Sequence, residues 1–364
     1  MMFRRSMYIT KSEHSMADPS IQTFCCQRPL NYHSSYKLMN EFNTDRFNMV
    51  CLVSSLIGVF GATYQLLPRM EISTVPNRFY SSIMQRGKYI VMWLAFADCS
   101  ASLGILLRSS LKLMHHYQWY DDQPYTLMCV LLAGWIQYFC MVTWVWTLLY
   151  AVDMWRAFQD KYHLRKIYHL IAWLFPAVFT FFGLSLLYNP NTNCYNMSPS
   201  ENAVLKFFPN YLLTFIPIIS VMIANPILYG FSTKYIYHII TSYMAQYSTK
   251  ERKILDLFKT RFFFMNLGFY LCWGPNLINA IIVWTSWDNL PAGLMLTLWY
   301  LMAFLNPMQA FFNTILYNML EHIENLNCKP FPKNKRVQEV LERRPLLLAN
   351  VKGSSNSHGY DIID

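Results

Sequence analysis

The chain alternates long uncharged runs with short stretches in which Lys and Arg gather. In the clearest run, between Arg46 and Arg69, 22 consecutive residues carry no charge. A helix needs about 20 mostly apolar residues to cross the hydrocarbon core of a bilayer. The run therefore predicts a transmembrane helix.

Six further runs are long and apolar enough for the same interpretation. They extend from about 89 to 113, from 123 to 152, from about 167 to 188, between Lys206 and Lys234, between Arg261 and Asp288, and between Asp288 and Glu321. The sequence predicts an all-α integral membrane protein, a bundle of seven transmembrane helices. Its expected parts are an amino-terminal arm (1–46), the bundle (47–318) and a tail (319–364) with a short amphipathic helix.

Composition and charge support a membrane protein and set its orientation. Charged residues make up only 14% of the chain, against about a quarter in soluble domains. The net charge of +10 would suggest a nucleic-acid partner in a soluble protein, but here we expect membrane lipids and no nucleic acid. Loops 69–88, 153–166 and 231–261 hold four, four and six Lys or Arg, and the alternate loops hold one, one and none. The positive-inside rule therefore places these basic loops and the tail in the cytosol, and the amino terminus in the lumen or outside.

Two cysteines lie on the predicted lumenal side of the bundle. Cys129 begins the third span and Cys194 lies in the loop after the fourth. An oxidising compartment favours a disulfide between them, with Cys25 and Cys26 as the alternatives. Asn196 begins a glycosylation sequon in the same loop.

A carboxylate stands near the middle of the second span. Asp98 is costly there unless it faces the bundle interior or water, and Thr143 and Asn306 are expected at similar depth. The cluster either fixes helix packing through satisfied polar contacts or acts as a hydrated switch or sodium site. Arg108 lies about 15 Å further along the helix, near the lumenal mouth, where it either snorkels or binds a ligand carboxylate.

Prolines mark bends in the sixth and seventh spans. Pro275 follows Trp273 closely, and Asn306 precedes Pro307. Proline removes a backbone hydrogen bond and bends a helix, so half of each span can swing.

These features resemble the rhodopsin-like G-protein-coupled receptors, with departures. The Asp-Arg-Tyr position reads Asp153-Met154-Trp155, so its arginine is missing, although Arg156 is close by. The seventh span has no Lys, so no retinal cofactor is expected.

A closer resemblance is to the ocular albinism type 1 receptor family, and it runs from about residue 23 to residue 317. It is carried by Thr23-Phe24-Cys25-Cys26, Trp135-Ile136-Gln137, Tyr150-Ala151-Val152-Asp153, Tyr168-His169 with Ala172-Trp173, Ala224-Asn225-Pro226-Ile227-Leu228, Arg261-Phe262-Phe263 and Asn276-Leu277-Ile278-Asn279. The resemblance implies a receptor, not an enzyme, that senses tyrosine, L-DOPA or dopamine, signals through a heterotrimeric G protein and controls pigment-organelle biogenesis.

Residue roles follow as hypotheses from that resemblance and from side-chain chemistry. Arg108 would take the carboxylate of an amino-acid ligand, Gln137 a polar group and Trp273 the ring. Asp153 and Arg156 would face the G protein. An endolysosomal transporter of amino-acid-like solutes is the main alternative, but transporters usually show paired repeats and several intramembrane charges. A membrane hydrolase would need clustered metal ligands, and the sequence predicts no such cluster.

The tail carries two short sorting patterns that clathrin adaptors read. One is the acidic dileucine form with Glu342, Leu346 and Leu347, and the other is the tyrosine form with Tyr360 and Ile363. Such motifs also arise by chance in disordered tails. Cys328, shortly after the last span, is a candidate for palmitoylation. We expect a multi-pass protein of pigment granules, lysosomes or late endosomes, with a minor plasma-membrane pool.

Overall fold

The protein is described here by a computed structural model that covers residues 42–67, 78–114, 123–159, 161–187, 203–242, 249–285 and 291–327. These residues form helices and short connecting segments, with no strand among them. The helices are α1 (Thr44–Leu66), α2 (Arg78–Met114), α3 (Gln123–Phe158), α4 (Arg165–Leu187), α5 (Ala203–Ser242), α6 (Thr249–Thr285) and α7 (Ala292–Asn327). The predicted all-α, seven-helix class is confirmed.

Six of these seven helices are long and apolar enough to cross a bilayer, and α6 falls short of that measure. The first turns of α6 are rich in Lys and Arg, and its later turns contain Asn266, Asn276 and Asn279. All three asparagines are buried. Because α6 turns these polar groups toward the other helices, its low hydropathy is compatible with a place in the bundle.

The ends of α1 and α7 differ slightly from the predicted limits of the bundle. α1 begins at Thr44, where the Asn43 side chain accepts a hydrogen bond from the Arg46 amide at 2.9 Å, which is the usual N-cap arrangement. α7 continues to Asn327, past residue 318, into the part of the chain where the short amphipathic helix of the tail was expected. The domain limits and the orientation in the membrane stay predictions.

α3 lies at the centre of the packing. It contacts α2, α4 and α5, whereas α1 packs on α2 and α7, and α6 packs on α5 and α7. Two apolar clusters share α3: one includes Trp144 and Trp273, and the other includes Trp146 and Phe262. The first cluster takes α3 side chains from Ile136 to Trp144, and the second takes them from Val142 to Phe158, so α3 belongs to both.

Two proline bends are satisfied by side chains of neighbouring helices. Pro307 has no N–H, so the carbonyl of Ala303 loses its partner within α7, and the Ser54 hydroxyl of α1 donates to it at 2.7 Å. Pro226 likewise leaves the carbonyl of Met222 without a backbone donor within α5, and the Tyr270 hydroxyl of α6 donates to it. Each bend is therefore tied to another helix.

Glycine brings α1 close to the bend in α7. A Cβ on Gly58 would stand 2.0 Å from the Pro307 carbonyl oxygen, and one on Gly61 would stand 2.6 Å from the Phe311 Cα. Small residues let helix backbones approach in this way. The Pro307 segment is consequently held from the α1 side, and any room around it lies on the other side.

Candidate functional site

Asp98 is buried in the interior of the bundle, on α2. Its side chain is only 5% exposed, and its Oδ2 accepts a hydrogen bond from Asn313 Nδ2 of α7 at 3.1 Å. An intramembrane carboxylate is strongly disfavoured unless it finds such partners. The prediction that Asp98 faces the inside of the bundle agrees with this geometry.

A small cavity adjoins this carboxylate, and we call it the Asp98 cavity. Its lining residues come from α2, α3, α6 and α7: Asp98, Ala101, Ser102, Ile105, Cys140, Thr143, Trp273, Asn306, Pro307, Gln309 and Ala310. About 10 Å³ is open to the centre of a water-sized molecule, which is close to the minimum that holds one water. Most of the predicted switch residues are therefore brought together, around a space far too small for an amino acid.

Trp273 connects the bent part of α6 to the cavity. Its ring meets Trp144 of α3 edge-on, with centroids 5.0 Å apart, and its Nε1 donates to Gln309 Oε1 of α7. Pro275 lies inside the same helix, half a turn later. A swing of the outer half of α6 would thus act on α3 and α7 through one side chain.

Asn313 and Gln309 are functional candidates that the sequence interpretation missed. They follow Asn306 at spacings of seven and three residues, which places all three on one face of α7. That periodicity was a usable signal, because Asn306 was already a candidate. Asn313 bonds Asp98 directly.

Gln137 belongs to a different polar group, between α3 and α5. Its Nε2 donates to Asn210 Oδ1 at 3.1 Å and to Thr214 Oγ1 at 2.9 Å. Gly183 of α4 makes room for this group, since a Cβ there would stand 2.4 Å from Asn210 Oδ1. In this conformation the Gln137 amide is engaged within the protein.

Arg108 lies in a third place, against α1. Its side chain is 4% exposed, and it hydrogen-bonds the thiol of Cys51, which also contacts Ser109. This is not the exposed, snorkelling position that one interpretation expected. Neither Arg108 nor Gln137 lines the Asp98 cavity, so the three predicted ligand residues do not share that cavity.

Asp153 forms a compact cluster at the end of α3 predicted to be cytosolic. The Asp153 side chain is fully buried. Its Oδ1 accepts from His163 Nδ1 at 2.9 Å and from the Tyr168 hydroxyl at 3.0 Å. We call these three residues the Asp153 cluster. Because Asp153 is inaccessible, it would not itself touch a G protein, and its contribution to such a surface is to position the loop.

Two arginines hold the same loop by its backbone. Arg156 Nη2 donates to the Tyr162 carbonyl at 3.1 Å, and Arg86 Nη1 of α2 donates to the Lys161 carbonyl at 2.7 Å. The segment between α3 and α4 is thereby fixed to both α2 and α3. Arg156, half-buried, remains a candidate for the surface that a G protein meets.

Several predicted residues lie outside the described part of the chain. Cys129 is disulfide-bonded, but its predicted partner Cys194 is among the residues outside. The others outside are Asn196, Cys328, Glu342, Leu346, Leu347, Tyr360 and Ile363. Their roles stay predictions. Among the described residues no group of three or more His, Cys, Asp or Glu could hold a metal ion.

Comparison with known proteins bears directly on the predicted family. The sequence model of the ocular albinism type 1 protein matches residues 16–325. The human G-protein coupled receptor 143 is 26% identical over 320 residues, which are 83% of this chain and 77% of that protein. The cyclic AMP receptor-like protein A of Dictyostelium discoideum is 21% identical over 251 residues, 65% of this chain and 63% of that protein.

These matches confirm the predicted resemblance across all seven helices. They identify a membrane receptor of the G-protein-coupled class rather than an enzyme. The chain belongs to the ocular albinism type 1 protein family.

Proposed function

We propose that the protein is a ligand-activated receptor that signals through a heterotrimeric G protein from pigment granules, lysosomes or late endosomes. The Asp98 cavity carries this proposal. It joins a buried carboxylate on α2 to two helices that each contain a proline, Pro275 in α6 and Pro307 in α7, and proline favours a bend in a helix. A polar site at such a junction can favour one arrangement of the helices over another.

The proposed switch works through Trp273. In the described state its indole donates to Gln309 and packs on Trp144. An outward movement of one half of α6 would separate these partners and change the space beside Asp98. A ligand that binds the moved arrangement more tightly would shift the population toward it.

Signalling assays test the switch. Asp98→Ala and Trp273→Ala, at matched expression, should each change basal or ligand-evoked G-protein activation in membranes. Ser220→Ala is the control, because that hydroxyl is exposed and bonds only within α5. Unchanged signalling in both cavity variants would remove the cavity from the mechanism.

The same preparation separates a receptor from the transporter alternative. Ligand-evoked G-protein activation without solute flux in sealed vesicles is the expected result. Flux of an amino-acid-like solute, with no G-protein activation, would favour the transporter.

For the ligand we propose L-DOPA, tyrosine or dopamine. The Asp98 cavity is too small for any of them, so the ligand would bind nearer the lumen, toward Arg108 and Gln137. Gln137 would have to exchange its bonds with Asn210 and Thr214 for ligand contacts. Specificity for an amino acid would come from pairing its carboxylate with Arg108.

Paired agonists test the Arg108 assignment. Arg108→Gln should weaken the response to L-DOPA by about tenfold more than the response to dopamine, which lacks the carboxylate. Lys112→Gln, one turn further along α2, is the matched control. Equal losses for the two agonists would contradict the assignment.

The organelle address is proposed from the tail. Changing Leu346, Leu347, Tyr360 and Ile363 to Ala should shift the protein to the cell surface, because clathrin adaptors would no longer capture it. Val351→Ala serves as a control apolar change in the same tail. If the quadruple variant stayed on lysosomal or pigment membranes, sorting would have to depend on the loops.

A further inference from the structure

A group of cations lies at the ends of α2 and α4 predicted to be cytosolic, together with the loop between α3 and α4. Lys161, Arg165 and Lys166 are exposed, and Arg86 and Lys88 are half-buried. We call these five residues the α2–α4 basic cluster. Among the described residues of α2, α4 and segment 161–164, the sole acid is Asp98, deep in the bundle. Even with Asp160 of the adjoining sequence, the cations are in clear excess.

The guanidinium of Arg165 is held over an aromatic platform. Its carbon stands 3.9 Å from the centroid of the Tyr89 ring, a cation–π arrangement. The Tyr89 oxygen in turn lies 2.6 Å from His169 Nε2. Trp173 Nε1 donates to His169 Nδ1 at 3.2 Å, so in the neutral ring Nε2 carries the proton and donates to Tyr89. The platform is therefore fixed between α2 and α4 before any ligand arrives.

The cluster borders directly on lipid-facing surface. Ile167, Leu170 and Ile171 of α4 are 47%, 62% and 43% exposed, and Phe96 of α2 is 43% exposed. In a bilayer these side chains meet acyl chains. Arg165 and Lys166 precede Ile167, the first of them on α4, by less than one turn, so these two cations lie at the height of the lipid headgroups.

The other predicted cytosolic basic region, on α5 and α6, is different. Lys259 forms an ion pair with Asp256 at 2.7 Å, and Arg261 is buried. Among the described side chains of α5 and α6, Lys234 is exposed next to the apolar Phe231 and Tyr237. The α2–α4 side differs in bringing three exposed cations, Lys161, Arg165 and Lys166, together next to an apolar surface.

We propose that the α2–α4 basic cluster binds the polyanionic headgroup of a phospholipid, of the phosphoinositide type, whose acyl chains lie along α4. Arg165 and Lys166 contact the phosphates, while Arg86 and Lys161 add to the positive potential. Since this surface is continuous with the loop that the Asp153 cluster positions, a bound headgroup would stabilise that loop.

Nanodiscs test the site. The full chain is placed in phosphatidylcholine discs containing a small fraction of phosphatidylinositol 4-phosphate or of phosphatidylserine, and lipid binding is measured by native mass spectrometry. The wild type should prefer the phosphoinositide. Removing two charges with Arg165→Gln and Lys166→Gln together should weaken that binding roughly 30-fold, since each cation contributes about a factor of five or six.

Controls separate loss of the site from loss of the fold. Lys234→Gln with Lys259→Gln removes two charges on α5 and α6 and should leave the preference intact. Lys166→Gln alone changes only an exposed side chain, and Arg165→Lys keeps the charge, so both should retain part of the binding with an unchanged thermal midpoint in neutral discs.

Three outcomes would overturn the proposal. One is wild-type binding in the Arg165 and Lys166 double variant, and another is an equal loss in the α5–α6 control. The third is equally tight binding of soluble inositol bisphosphate in lipid-free detergent, which would assign the cluster to a soluble polyanion.

Discussion

Two buried carboxylates in this bundle have opposite surroundings. Asp98 is 5% exposed and adjoins a cavity, and it accepts a hydrogen bond from the Asn313 amide of α7. Asp153 is fully buried and accepts from Tyr168 and from His163, which belongs to the loop before α4. Burial alone therefore does not reveal the role of a carboxylate. Its hydrogen-bond donors and the space around it indicate that role.

The physical chemistry of burial explains the contrast. A buried charge is strongly disfavoured unless it is paired or well hydrogen-bonded. At Asp153 two protein donors, one of them an ionisable imidazole, supply that compensation at fixed distances. At Asp98 the cavity leaves room for a water or a small cation to supply part of it. The first arrangement fixes a loop, whereas the second can exchange its contents.

The largest expected effect is on stability, from Asp153→Ala. The variant leaves the buried Tyr168 hydroxyl without its acceptor and frees His163, so we expect a loss of about 3 kcal/mol. The measurement is the thermal midpoint in detergent or nanodiscs. Asp256→Ala is the control, because Asp256 is exposed in its pair with the half-buried Lys259 and surface pairs contribute about 0–1 kcal/mol. Equal shifts in the two variants would mean that the Asp153 cluster does not hold the loop.

A slightly smaller effect is expected where α1 confines the wall of the Asp98 cavity. Gly58→Ala places a methyl group 2.0 Å from the Pro307 carbonyl oxygen, and the forced separation of α1 and α7 should cost about 2 kcal/mol. Gly230→Ala is the matched control, since nothing lies within 4 Å of a Cβ there. The measurement is again the thermal midpoint of each variant. If both variants behaved alike, α1 would not fix the Pro307 segment.

Much of the bundle could be predicted from charge gaps and proline positions alone. Asp98, Thr143, Asn306 and Trp273 were expected together because span boundaries fix the depth of each residue along its helix. The structure agrees, since all four line one cavity. The lengths and limits of the uncharged runs thus predict well how deep each residue lies in the bundle.

Rotational position and neighbours were harder to predict. The depth of a residue along its helix does not say which neighbouring helix its side chain faces. The contacts of Arg108 with Cys51 and of Gln137 with Asn210 could therefore not be predicted. His163 was missed as a partner of Asp153 because it lies in a loop, which has no helical period to extrapolate. Tyr168 lies on α4, and its contact with Asp153 depends on the rotation of that helix. Asn313 could have been predicted, since it lies on the same face of α7 as Asn306, two turns later.

The smallest expected effect tests whether the contents of the Asp98 cavity can exchange. Asp98, Ser102, Thr143 and Asn306, whose side chains all carry oxygen, line a space about the size of one water, and oxygen ligands suit a hard monovalent cation as well. Adding sodium chloride in place of choline chloride should raise the thermal midpoint of the wild type, because a cation bound only to the folded state at ten times its Kd stabilises it by about 1.4 kcal/mol. Asp98→Asn should abolish the difference between the two salts, since the amide keeps the shape of the side chain but removes its charge. Asp153→Asn should leave the difference intact, because that carboxylate does not line the Asp98 cavity and bonds His163 and Tyr168 through its Oδ1. A sodium effect that survived in Asp98→Asn would place the cation elsewhere and leave the cavity to water.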